Sequence, residues 1–79
     1  MVTIRPDIVI DVKGLQCPRP LIKTKQTLNT MQQGQILEVI ANDNVTKSTI
    51  PSLLKHSGDK LLNISEDDGG VMHFLIKKI

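Results

Sequence analysis

Along most of this chain the apolar residues switch between a period of two and a period near 3.6, and that switching leaves few folds open to it. Ile8, Ile10 and Val12 alternate with Val9 and Asp11, which predicts a strand over Ile8–Val12 ended by Gly14. Pro18 and Pro20 then suit the first turn of a helix, where a missing N–H has no intrahelical partner to lose. Leu21, Thr24, Leu28 and Met31 form one helical face, so the helix is expected from about Pro18 to Gln32, with Gly34 placed to end it.

The same pattern repeats once. Leu37, Val39 and Ala41 alternate with Ile36, Glu38 and Ile40, predicting a strand over Gln35–Ala41. Asn42-Asp43-Asn44 is turn chemistry. A second helix is expected over roughly Thr46 to Ser57, burying Ile50, Leu53 and Leu54 and stopping at Gly58. Pro51 leaves two arrangements open. Either the helix starts late, capped by Ser48 or Thr49, or it bends at the proline. Lys60–Glu66 and Val71–Lys78 read as strands joined by Asp67-Asp68-Gly69-Gly70, a hairpin signal.

The order βαβαββ implies a two-layer α/β (α+β) sandwich, with two helices on one face of a four-stranded mixed sheet. Each strand–helix–strand unit makes a right-handed crossover between parallel strands, and the last hairpin adds an antiparallel pair. The opposite face is expected to be partly open, with Ile36 and Ile40 on it as an apolar patch.

Length and composition narrow the function classes. With 79 residues, positions 1–79 are expected to form a single domain. No apolar run approaches the roughly 20 residues of a membrane span. Met1 to Asp7 shows no apolar core of a signal peptide, so the expected compartment is cytoplasmic. One cysteine agrees with a reducing compartment. The net charge of +2 is mildly basic, and the cations are spread apart from Lys23 with Lys25 and Lys77 with Lys78.

That cysteine, Cys17, is the candidate catalytic residue. It precedes Pro18, the natural first helical position. Thiolate is the nucleophilic form; an ordinary thiol has a pKa of about 8.5, and a helix N-terminus lowers it. The prolines fix the backbone but remove two N–H donors. The N–H of Arg19 and the charges of Lys13, Arg19 and Lys23 are expected to compensate. Lys13, Lys23 and Lys25 are candidates for docking an acidic partner, against the plainer reading of a solvated helix face. One cysteine with His56 and His73 far away in sequence is a weak ligand set, so no metal is expected. Asp43 is expected to tighten its turn, and Asp67 and Asp68 to serve the hairpin.

Gly14-Leu15-Gln16-Cys17-Pro18-Arg19-Pro20 resembles the Cys-Pro-x-Pro signature of the TusA/SirA/YedF-like sulfur-carrier family. Asp11, the segment Met31 to Leu37, Asp43, Ile50-Pro51 and Ile76-Lys77-Lys78 extend the likeness along nearly the whole chain. The resemblance implies a persulfide relay of the sulfurtransferase type. Cys17 would carry the sulfur, and Gly14, Leu15, Pro18, Arg19 and Pro20 would support the motif. A cysteine desulfurase or rhodanese-like protein would be the donor and a DsrE-like protein an acceptor, with no cofactor. Arg19 stands where the tRNA-thiolation branch often has glutamate, and Thr49 where it has aspartate. The run from Cys17 to Lys25 looks closer to the YedF-like, selenium-associated branch, whose longer members carry a DsrE-like domain after this one. A rival class is a nucleic-acid-binding, regulatory or selenium-associated docking module of the same fold. Missing stacking aromatics weigh against direct nucleic-acid binding.

Overall fold

The computed structural model describes residues 5–16 and 18–79. Its elements run β1 (Ile8–Asp11), α1 (Arg19–Thr30), β2 (Ile36–Ala41), α2 (Thr46–Ser57), β3 (Lys60–Glu66) and β4 (Met72–Lys77). The sheet order is β1-β2-β4-β3. β1 and β2 are parallel, with Ile8 opposite Leu37, while β4 is antiparallel to both β2 and β3. β2 and β3 therefore run the same way, as a strand–helix–strand unit requires, with β4 inserted between them.

The alternation in the strands decides which face the helices cover. Leu37, Val39 and Ala41 of β2 and Met72, Phe74 and Ile76 of β4 are buried. They join Val12, Leu28, Met31, Ile50 and Leu54 in one core. Phe74, the single aromatic residue, is wholly inside it. Each such aliphatic or aromatic side chain removed from water contributes about 1.5–3 kcal/mol. The other face carries half-buried Ile36, Ile40 and Leu75 with exposed Val9. His73 Nδ1 and a Glu38 carboxylate oxygen meet there at 3.1 Å.

Two helix boundaries differ from the sequence expectation. α1 begins one residue after Pro18, which is its N-cap, and Pro20 falls in the first turn. It ends at Thr30 rather than Gln32, because Met31 turns extended and gives its N–H to Leu28 O at 3.2 Å. Gly34 therefore does not cap the helix. At φ +90° it sits in the turn that opens β2, donating its N–H to Lys78 O at 2.7 Å.

α2 starts early and runs through Pro51. Turn bonds from Thr46, Lys47 and Ser48 back to Asp43, Asn44 and Val45 have already set the first turn before Ser48 is reached. The proline then forfeits one bond, to the carbonyl of exposed Lys47. Gly58 ends the helix as expected, at φ +83° with its N–H on Leu54 O.

Candidate functional site

β1 and β2 are parallel neighbours, so the loops that follow them meet at one end of the sheet. Gly14 in the first loop gives its N–H to Asn42 Oδ1 at the start of the second, at 3.1 Å. The first loop also folds on itself. Lys13 N–H reaches Asp11 Oδ1 at 3.0 Å, and Leu15 N–H reaches Val12 O at 3.2 Å. Gly14 lies at φ +83° with open space where a Cβ would stand. Its backbone angle, not crowding, calls for glycine.

Two open cavities flank Gly14-Leu15-Gln16. One, of about 330 Å³, is completed by Pro18 and Arg19. The other, of about 250 Å³, is completed by Asn42 and Asp43. Asp43 does tighten its turn: Oδ1 accepts the Val45 N–H at 3.2 Å and its carbonyl accepts the Thr46 N–H at 3.0 Å.

Of the residues singled out in sequence, Gly14, Leu15, Pro18 and Arg19 come together around one cavity. Pro20 is buried in the first turn of α1, where its carbonyl accepts the Thr24 hydroxyl at 2.8 Å. Cys17 lies outside the described residues. Lys13 is exposed beside Asp11, with Nζ 3.7 Å from Oδ2. Lys23 and Lys25 are exposed on α1 and line neither motif cavity.

The expectation for the Arg19 N–H is overturned. It is bonded to Gln16 O at 2.9 Å, closing the turn into the helix. Pro18 and Pro20 have no N–H, so these three residues offer no spare backbone donor to a thiolate.

Asn42 and Gln16 were not among the sequence candidates. Asn42 was legible only as turn chemistry. The signal that could have raised it is topological: residues just past adjacent parallel strands lie beside one another. His56 is exposed on α2, and His73 is engaged with Glu38. Among the described residues no three His, Cys, Asp or Glu side chains gather as a metal site.

A family model described as sulfurtransferase TusA matches residues 8–78. The chain belongs to the TusA sulfurtransferase family. It is 43% identical over 72 residues to sulfur carrier protein TusA of Allochromatium vinosum, covering 91% of this chain and 93% of that one. It is 40% identical over 74 residues to the putative sulfur carrier protein YrkI of Bacillus subtilis, covering 94% and 97%. The crystal structure of a SirA-like protein from Desulfitobacterium hafniense matches with TM-score 0.78 at 25% identity, over 89% of this chain and 95% of that one. The SirA-like structure thus shares the fold, and the relatives named sulfur carrier proteins favour that function over a nucleic-acid-binding module. No described helix is long and apolar enough to cross a membrane.

Proposed function

We propose that this TusA-family chain is a sulfur carrier that takes sulfane sulfur on Cys17 and hands it to a second protein. Family membership over residues 8–78 carries this reading. It is supported by two further facts. Cys17 is the one cysteine in the sequence, and its neighbours Gln16, Pro18 and Arg19 are exposed beside an open cavity.

The chemistry is displacement at sulfur. The Cys17 thiolate attacks the terminal sulfur of a donor persulfide. A new S–S bond forms, the donor S–S bond breaks, and the donor cysteine leaves as thiolate. An acceptor thiolate then attacks the terminal sulfur of the Cys17 persulfide, and Cys17 leaves as thiolate. No electrons are gained or lost across the pair of steps, and the carrier returns to its starting state. The step calls for neither metal nor organic cofactor.

The donor is read as a cysteine desulfurase or rhodanese-like protein and the acceptor as a DsrE-like protein, in the cytoplasm, with residues 1–79 acting as a single domain. Gly14 and Leu15 shape the approach to Cys17. Pro18 and Pro20 hold the helix start, and Arg19 supplies positive charge.

Incubation with a cysteine desulfurase and isotopically labelled cysteine tests this by intact mass. One labelled sulfur should appear on the wild-type chain, vanish on reduction, and be absent from Cys17→Ser. Labelling that survives in Cys17→Ser overturns the assignment.

A further inference from the structure

The fold separates the acidic residues from the helix layer and leaves half of the ten Lys and Arg on it. α1 and α2 hold Arg19, Lys23, Lys25, Lys47 and Lys55 and no acidic residue. All eight Asp and Glu lie on strands and loops. Lys47 is engaged, 2.7 Å from Glu66 of β3. The other four are exposed and have no ion pair among the described residues.

Lys55 lies in the last turn of α2, where the dipole favours a cation, but the cations of α1 do not serve their helix in this way. Arg19 stands in the first turn of α1, where the dipole disfavours a cation. Arg19 and Lys23 are four apart, and a like-charge pair at that spacing is destabilising by about 0.2–0.5 kcal/mol. Neither helix has a carboxylate to offset its lysines.

The same layer carries an aliphatic recess. Leu21 of α1 and Ser48, Thr49, Ser52, Leu53 and His56 of α2 line a groove of about 360 Å³. Past Leu53 and His56 it continues into a second recess of about 330 Å³, which Lys25 and Lys78 also line. The one carboxylate there, Asp59, already holds Ser57, Ile79 and Lys78. Ile22, 49% exposed, adds apolar surface to α1.

We propose that the helix layer is a docking surface for an acidic protein, whose carboxylates meet Arg19, Lys23, Lys25 and Lys55 while an aliphatic side chain enters the α1–α2 groove. The proposal deepens the relay function and rests on it for the partner's place in the relay, but not for its chemistry. A protein fits better than a nucleic acid. The groove is lined by Leu21 and Leu53, and Phe74, the one Phe, Tyr or Trp, is buried; among the described residues that leaves only the His56 ring on the groove as a surface on which a base could stack.

Amide NMR of the full chain tests it with a defined probe, a helical Glu/Leu peptide of roughly twenty residues, long enough to span the molecule's 31 Å extent. Shifts should cluster on α1 and α2, and binding should weaken as salt rises from about 0.05 M to about 0.5 M. The double variant Lys25→Glu/Lys55→Glu should lose about tenfold or more in affinity, and the neutral Lys25→Gln/Lys55→Gln less. A dispersed spectrum shows that each is folded. Shifts confined to the sheet, equal binding of a Lys/Leu peptide, or tighter binding of bulk tRNA on the same face overturns the proposal. Loading of the wild-type chain by inorganic polysulfide, followed by mass, reports on the relay function separately. Its failure would remove the carrier reading and leave the docking result standing.

Discussion

The two ends of the sheet are built differently. At the end away from the motif, charged and backbone groups interlock. The Asp59 side chain, 2% exposed, accepts the Ser57 hydroxyl at 2.9 Å and the Ile79 N–H at 3.0 Å, and lies 3.7 Å from Lys78 Nζ. Asp7 pairs with Ile36 through both backbone and carboxylate. Gly34 and Gln35 bond the backbone of Lys78. At the motif end Lys13, Gly14, Gln16 and Pro18 of the loop after β1 are exposed. Among the described residues a single long-range side-chain bond ties that loop down, from Gly14 N–H to Asn42. The closed end holds the sandwich together, which lets the open end keep its loop in water, where a second protein can reach it.

Breaking the closed end should have the largest effect. Asp59→Ala removes the acceptor of the Ile79 N–H, leaves the Ser57 hydroxyl only its long bond to Leu54 O, and frees Lys78. It should lower unfolding free energy by about 3 kcal/mol in urea titration. Gly58→Ala, at the same end, forces a Cβ into the left-handed region and should remove about 1–2 kcal/mol.

At the motif end the stability losses should be smaller. Asn42→Ala removes one exposed bond and should lower stability by about 1 kcal/mol while changing the alkylation rate of Cys17. Asn42→Asp keeps an acceptor for Gly14 and should restore most of that rate. The smallest effect is expected for Lys47 and Glu66, half-exposed partners whose double-mutant cycle should give a coupling near 0.5 kcal/mol. A large Asn42 effect beside a small Asp59 effect would reverse the contrast between the ends.

Much of this was legible in the sequence because local periodicity carried it. α2 and β3 fall on their expected bounds, and β1, β2 and β4 within a residue at an end, since alternation and turn residues are read within a few positions. Gly34 misled because a helix-ending glycine and a turn glycine look alike without the backbone angle. Pro51 stayed ambiguous because the outcome depended on whether the residues before Ser48 could nucleate a turn. The insertion of β4 between β2 and β3, the Asn42–Gly14 tie and the Asp59 lock all join residues far apart in the chain. Spacing does not encode them. The same holds for charge: half of the ten Lys and Arg lie on the helices, and that the helices hold none of the eight Asp and Glu shows only once they are placed.

The family resemblance reached the motif through Gly14 to Pro20, and the geometry gathers Gly14, Leu15, Pro18 and Arg19 around one cavity. It also removes a donor that the sequence seemed to offer, the Arg19 N–H, which Gln16 already holds.

The account depends on Cys17 being a working thiol in the folded chain. Its alkylation by iodoacetamide at neutral pH, measured with and without denaturant, tests that most directly. The account predicts that the folded chain reacts at least as fast as the unfolded one. A thiol that reacts only after unfolding would contradict it.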